Sequence, residues 1–365
     1  MSFKSKKICI IFEDKKFTYS EIEIFSNKFA NFIKNNGIKK DERFAIYCVN
    51  SPYFIISYFG ILKAGCVVVP INFLLHPEEI KFILNDSSVK GVIYDEVFEE
   101  NLSFIKKEIK NVKFLITTGN FSNLNAISLK EILNKESEKL ESLKIDKKEK
   151  VAEIIYTSGT TGKVKGVILT HDNLISNINS ICKFLPITQN DIFISVLPFF
   201  HAFGSTCGML LPLKLGATII LFFKFVPDLI LKSIEKFSAT IFMGIPSMFK
   251  VFNDLSKKEI FDLSSLLLCI SGSAPLNLNV MNDFEKNFGI PIYEGYGLTE
   301  CSPVVSVNPF GKRKKGSVGL PLPGVSMKIV DENGEELKEG EIREIIVKGE
   351  NVMKGYLNQP EETEK

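Results

Sequence analysis

The sequence predicts an α/β protein with mostly parallel strands and a small β unit near its end. Three observations lead there: a strand–helix–strand rhythm from Arg43 onward, a length of 365 residues, and a change of pattern near residue 316. At that length one compact core gives way to two or three lobes.

Taken in order, Thr18-Tyr19-Ser20-Glu21 has the form of a capped start, predicting a helix through Ile33 that Gly37 closes. Arg43–Val49 alternates as a strand does. Tyr53–Lys63 reads as an apolar helix closed by Gly65, and Cys66–Pro70 as a buried strand. Leu62-Lys63-Ala64-Gly65-Cys66-Val67-Val68 is echoed by Leu213-Lys214-Leu215-Gly216-Ala217-Thr218-Ile219, as two similar lobes would produce. Asn120–Lys150 is crowded with Lys, Glu, Asn and Ser and reads as an exposed helix and linker. Val325–Asp331 and Glu341–Lys348 alternate and are joined across Glu332-Asn333-Gly334, a hairpin pattern.

Ile192–Leu213 has no charged residue and could match a bilayer in length. Pro198, Gly204, Gly208 and Pro212 break it, however, so a buried strand, loop and helix are expected instead. Lys+Arg 45 against Asp+Glu 43 leaves a net charge of +2, too balanced for a chain that coats nucleic acid. The seven cysteines are scattered, odd in number and lack C-x-x-C spacing. That argues for a reducing, cytoplasmic setting and against a disulfide framework or zinc site. The apolar run Ile8–Phe12 is too short for a signal peptide.

Chemistry concentrates at Tyr156-Thr157-Ser158-Gly159-Thr160-Thr161-Gly162-Lys163-Val164-Lys165-Gly166. An apolar strand (Ala152–Tyr156) runs into hydroxyls, glycines and lysines, with another strand (Val167–Leu169) after them. Glycines let backbone N–H groups turn toward an anion, hydroxyls add neutral donors, and lysines add charge. A triphosphate calls for that composition, yet the spacing is not that of a P-loop. A second strand, Leu266–Ile270, ends in Ser271-Gly272-Ser273-Ala274-Pro275 just before a helix over Asn277–Phe288, an arrangement that favours an anion or a flat ring. A third, Pro291–Tyr293, enters Glu294-Gly295-Tyr296-Gly297-Leu298-Thr299-Glu300. That segment offers a Mg²⁺ ligand, a phosphate donor and a stacking face.

Together these three segments resemble the adenylate-forming (AMP-binding) enzymes, which include acyl-CoA synthetases, luciferases and peptide-synthetase adenylation domains. Gly316-Ser317-Val318-Gly319-Leu320-Pro321 and Gly349–Tyr356 fit as well. The resemblance implies two flavodoxin-like α/β lobes, interleaved over 1–315, and a small distorted β-barrel over 316–365. It further implies that Ser158, Gly159, Thr160, Thr161, Gly162 and Lys163, with Lys165, hold the β- and γ-phosphates of ATP. Thr157 and Glu300 would bind Mg²⁺. Gly272, Ser273, Ala274 and Pro275 would flank adenine beside Glu294, Gly295 and Gly297, with Tyr296 stacked on the ring and Thr299 at the α-phosphate. Lys163, Lys165, His201, Thr299 and Glu300 become the candidate catalytic residues. Val164 stands where the family commonly has proline, a loss of stiffness but not of a ligand.

Leu197-Pro198-Phe199-Phe200-His201-Ala202-Phe203-Gly204 resembles the acyl-side segment of fatty acyl and aryl members. Amino-acid-activating relatives place an Asp near here. Met243-Gly244-Ile245-Pro246-Ser247-Met248-Phe249 resembles another wall of the acyl site. His201 and phenylalanines favour an uncharged, apolar acid, with His201, Phe203, Gly204, Met248 and Phe249 as the substrate set. The bland alternatives are a satisfied buried histidine and plain core at Met248 and Phe249. The implied reaction is a fatty acid–CoA ligase consuming ATP, fatty acid and CoA. An acyl-carrier-protein acceptor, a non-catalytic nucleotide- or acyl-binding module and a GTPase-like switch are the competing readings. The family's ribose-binding Thr-Gly-Asp segment, hinge and C-terminal domain do not follow Lys365. The expectation is therefore an excised core with weak activity. Lys312-Arg313-Lys314-Lys315 reads as solvated surface, with CoA phosphate or peripheral lipid headgroups as the alternative. Acyl length, acceptor thiol and homo-oligomer formation are left open.

Overall fold

The structure, a computed structural model, describes residues 5–141, 143–158 (158 by its backbone alone) and 164–364. Its strands begin with β1 (Ile8–Phe12), β2 (Lys15–Thr18), β3 (Arg43–Tyr47), β4 (Val67–Pro70), β5 (Gly91–Tyr94), β6 (Phe114–Thr117) and β7 (Ile127–Ser128). The middle of the chain adds β8 (Val151–Ser158), β9 (Val164–Thr170), β10 (Ile192–Ser195), β11 (Thr218–Leu221), β12 (Ile241–Gly244) and β13 (Leu268–Ser271). Last come β14 (Ile292–Gly297), β15 (Val304–Val307), β16 (Leu320–Pro321), β17 (Val325–Val330), β18 (Glu344–Gly349) and β19 (Gly355–Tyr356).

Two large sheets result. The eight-stranded one runs β7-β6-β5-β3-β4-β8-β9-β19 and is parallel as far as β8, where the antiparallel β9 and β19 are added. The nine-stranded one runs β2-β1-β11-β10-β12-β13-β14-β15-β16, with a parallel centre from β1 to β14. Strands such as β4 and β5 are buried along their whole length, as parallel strands covered by helices on both faces must be. The sheets exchange their ends. The first hairpin, β1–β2, joins the later sheet, and β19 returns to the earlier one.

Local signals account for the elements between strands. Thr18 and Glu21 form a reciprocal capping box at the start of helix Tyr19–Asn35, satisfying two orphan N–H groups. Ser51 caps helix Pro52–Lys63, whose first position is a proline already set to a helical φ. The echoed glycines, Gly65 and Gly216, both turn the chain from helix to strand at φ of 82° and 79°, which a β-carbon would strain. One apolar core spans both sheets, and Phe54 meets Phe199 edge-on at 5.4 Å across it. Asn50 clamps the same region, its side chain donating to Leu197 O at 2.9 Å and accepting from Phe199 N–H at 2.8 Å.

The uncharged run folds as expected into a strand (β10), a loop and helix, the helix being a π-helix (Gly204–Leu210) that continues into a short α-helix (Leu211–Leu215). Among the described residues no helix is long and apolar enough to cross a membrane. The segment read as an exposed helix and linker does contain a helix, Leu129–Lys135, but its Leu129, Ile132 and Leu133 are buried. The Glu332-Asn333-Gly334 turn folds Val330 back onto Glu336 as a lone bridge, and β18 starts only at Glu344. Among the described residues no closed barrel forms. β17 and β18 pair with each other, while β16 and β19 extend the large sheets.

Candidate active site

β13 and β14 lie side by side, Ser271 opposite Glu294, so the Gly272–Pro275 and Gly295–Glu300 segments leave the same edge of the sheet together. Carboxyl ends of adjacent parallel strands are where α/β folds hold ligands. The segment after β10 supplies a facing wall, and Ile181 of helix His171–Phe184 with Leu185 just after it supply another. They enclose a cavity of about 160 Å³. Its apolar side includes Phe203, Met243 and Ile270, and its polar side includes His201, Ser273, Tyr296 and Thr299. Of the expected site residues, His201, Phe203, Gly272, Ser273, Gly295, Tyr296, Gly297 and Thr299 all line this one space. Gly297 is there by necessity: a β-carbon would sit 2.0 Å from Pro303 O.

The His201 ring opens into the cavity rather than being sealed in core, while the protein wall around it lowers its pKa by burial. Its Nδ1 accepts the Phe203 N–H at 3.3 Å, so the neutral ring carries its hydrogen on Nε2. Glu294 is buried. Its Oε1 accepts from Leu276 N–H at 3.3 Å, and its Oε2 has no partner. Ser273 sits at φ +68°, a left-handed conformation that is strained for a serine and is held at the cavity wall.

Other expected residues lie elsewhere. Phe249 is wholly buried between Phe242 and Phe284, at ring separations of 5.4 and 5.3 Å, because helix Pro246–Ser256 turns that face inward. Met248 is buried on the same helix and also does not line the cavity. Of the Met243–Phe249 segment expected to form a wall, Met243 on β12 lines the cavity. Gly204 packs against backbone, with Pro198 O 2.2 Å from where its β-carbon would be, so it serves the turn and not the cavity. Ala274 and Pro275 are exposed and outside it as well.

The hairpin β8–β9 carries the Gly/Thr/Lys loop. The side chain of Ser158 and the residues Gly159, Thr160, Thr161, Gly162 and Lys163 lie outside the described residues. Thr157 stands directly opposite Lys165 in the ladder. Lys165 was expected to reach phosphate, but its ammonium pairs with Glu362 at 2.5 Å and lies 5.0 Å over the Tyr356 ring. Tyr356 in turn donates its hydroxyl to Glu300 Oε1 at 2.8 Å. No described cation forms an ion pair with Glu300. Among the described residues no cluster of three or more His, Cys, Asp or Glu could hold a metal by itself. A single carboxylate with a threonine hydroxyl is a hard-oxygen donor set. It fits a Mg²⁺ whose other ligands are water and phosphate.

Sequence reasoning missed Ile181, Tyr356 and Glu362, while Met243 lies in the segment it had read as a wall of the acyl site. The segment Gly349–Tyr356 did carry a family signal, but nothing local assigned Tyr356 a partner.

The AMP-binding enzyme family model matches residues 2–357. The long-chain-fatty-acid–CoA ligase of Bacillus subtilis is 36% identical, covering 98% of this chain and 69% of that protein. The crystal structure of a long-chain-fatty-acid-CoA ligase from Archaeoglobus fulgidus superposes with a TM-score of 0.91 at 27% identity, covering 99% of this chain and 75% of that one. ATP-bound MatB from Rhodopseudomonas palustris gives 0.89 at 30% identity, with coverages of 99% and 71%. With a cavity at the strand ends, the hydroxyl- and lysine-bearing hairpin beside it, and a family match over nearly its whole length, the chain belongs to the AMP-binding enzymes.

Proposed function

We propose that this protein activates a fatty acid with ATP and passes the acyl group to coenzyme A. The observation that carries the reading is the shared cavity, where an apolar wall of Phe203, Met243 and Ile270 meets the polar run Gly295–Thr299. An alkyl chain suits the first and a nucleotide suits the second. No Asp stands in that wall to hold a substrate ammonium, which favours an uncharged acid.

In the proposed reaction a carboxylate oxygen bonds to the α-phosphorus of ATP and the bond to the bridging oxygen breaks, releasing pyrophosphate. The coenzyme A sulfur then attacks the acyl carbon of the adenylate, AMP leaves, and the thiol proton passes to solvent. Both partners of the first step are anions, so the protein's work is to cancel charge and to align them. His201 Nε2–H faces the cavity and can donate to a carboxylate or phosphate oxygen. Thr299, on the cavity's polar side, would donate its hydroxyl to the α-phosphate, and Tyr296 would offer a ring for adenine. Glu300 and Thr157 would hold Mg²⁺, which when bound neutralises phosphate charge. Gly159–Lys163 would wrap the β- and γ-phosphates. The same reading divides the chain into ATP- and acyl-binding lobes to 315 and a β unit from 316. Its setting is cytoplasmic, supported by seven free cysteines of which six are buried.

Fatty-acid-dependent exchange of labelled pyrophosphate into ATP, run with acids of graded length and with amino acids, tests the proposal. Stimulation by apolar acids alone is expected. Stimulation by amino acids, or no thermal stabilisation by either Mg-ATP or fatty acids, would sink it.

A further inference from the structure

Three strands of the eight-stranded sheet put their chemistry on one face. Thr157 of β8 opposes Lys165 of β9, and Tyr356 of β19 opposes Val167, two residues along β9 from Lys165. Residues two apart on a strand share a face, so Thr157, Lys165 and Tyr356 all point the same way. Glu300 arrives from the other sheet, on the short turn between β14 and β15.

The segment leading into β19 grips that turn at several points. Met353 N–H donates to Glu300 O at 2.8 Å, Asn351 Nδ2 donates to Cys301 O at 2.9 Å, and Ser302 Oγ donates to Asn351 O at 2.8 Å. With the backbone of Glu300 so held, one contact sets its side chain: the Tyr356 hydroxyl on Oε1 at 2.8 Å. The ring behind that hydroxyl is itself fixed, since the Lys165 ammonium lies 5.0 Å over it and is anchored by Glu362. A donor on one carboxylate oxygen chooses the rotamer and leaves the other oxygen to coordinate.

We infer that Tyr356 is a positioning residue that holds the Glu300 carboxylate ready for the metal–nucleotide complex. The inference rests on the functional reading above, in which Glu300 takes the metal. Tyr356 touches neither ATP nor acid and acts through Glu300 alone. Its place in the cross-sheet contact also makes metal binding depend on the docking of residues 351–356.

The test uses Mn²⁺ as the probe, with ATP and the whole chain, titrated by electron paramagnetic resonance and calorimetry. Tyr356→Phe keeps the ring under Lys165 and removes only the hydroxyl. Its melting temperature without ligand is expected within about 3 °C of the parent, because one half-buried hydrogen bond is lost. Mn²⁺ affinity in the presence of ATP is expected to fall roughly 10-fold or more, while ATP affinity without metal changes less than about twofold. In a Glu300→Gln background the same Tyr356→Phe change is expected to add nothing, since the carboxylate it positions is gone. Mn²⁺ affinity within twofold of the parent overturns the inference. So does an equal loss added in the Glu300→Gln background, and so does a Tyr356→Phe chain that fails to fold, which would assign the hydroxyl to the fold. If the parent chain itself shows no metal-dependent ATP binding, the functional reading falls and takes this inference with it.

Discussion

The two ends of the site are built on opposite principles. On the proposed acyl side, Phe203, Met243, Ile270 and Ile181 wall part of a space of about 160 Å³ that already exists and is shared with the polar run Gly295–Thr299. On the proposed phosphate side the described charges already have company: Lys165 with Glu362, and Glu300 with Tyr356. The difference follows from solvation. An apolar cavity can stand open because its walls are held by packing from behind, whereas a buried ammonium or carboxylate without a partner is costly. The acyl end therefore selects by shape already set. On the proposed phosphate side Lys165 must leave Glu362 before it meets ligand oxygens, so its contribution is a difference between the two, while Glu300 keeps its Tyr356 contact.

That contrast can be broken first where the ends join. Gly297→Ala would put a β-carbon 2.0 Å from Pro303 O and 2.8 Å from Pro303 C, contacts with backbone that no rotamer relieves. A loss on the order of 4 kcal/mol is expected, with both ligands lost together, and urea unfolding measures it. Survival of one binding activity without the other would show that the ends are less coupled than drawn here.

Phe203→Ala tests the preformed end alone. Removing a ring that is 9% exposed should destabilise the chain by about 3 kcal/mol. It should also move the preferred acid toward bulkier chains, read from exchange rates across a fatty acid series, while ATP affinity is kept.

A third prediction sharpens the contrast through pH. Glu153 lies on β8 below Thr157, fully buried, and burial pushes its carboxyl up to about 7 from 4.5 despite the Tyr58 hydroxyl at 2.9 Å. Between those two pH values the folded chain keeps a proton that the unfolded chain has lost, so stability falls as pH rises and levels off above about 7. The full effect is roughly 3 kcal/mol. Glu153→Gln should flatten that slope, which denaturant titrations at pH 5 and pH 8 would show. An unchanged slope would assign the pH dependence elsewhere.

The smallest effect is expected at the occupied end. Glu362→Gln weakens the hold on Lys165 and should tighten ATP binding about two- to threefold, an ion-pair-sized change for a partly exposed partner. Calorimetry reads it. Weaker ATP binding in that variant would mean that Glu362 supports the nucleotide site and does not compete with it.

Much of this was legible in the residues. The helix beginning at Tyr19 was announced by Thr18 and Glu21, and the parallel sheets by runs such as Val67–Pro70, because capping and strand burial depend on near neighbours. The cavity segment Gly295–Thr299 was legible from glycines, a hydroxyl and an aromatic brought together by strand ends. The substrate wall was read as the whole segment Met243–Phe249 with Met248 and Phe249 chosen from it, and of that segment Met243 lines the cavity. Met248 and Phe249 lie a few residues from Met243, but which of them faces the cavity depends on how helix Pro246–Ser256 packs on its sheet. Sequence periodicity shows that a face is apolar and does not show what it meets.

By itself, then, the sequence determined the α/β class, the capped elements and the presence of a hairpin bearing glycines, hydroxyls and lysines, all consequences of contacts within a turn or a strand. Only the tertiary structure decided the partners of that hairpin. Lys165 meets Glu362 from 197 residues away, and Glu300 meets Tyr356 from 56. Contacts at such separations arise from how two sheets exchange their ends, and charge pairing is non-local: any lysine could answer any glutamate until the fold brings one pair within reach.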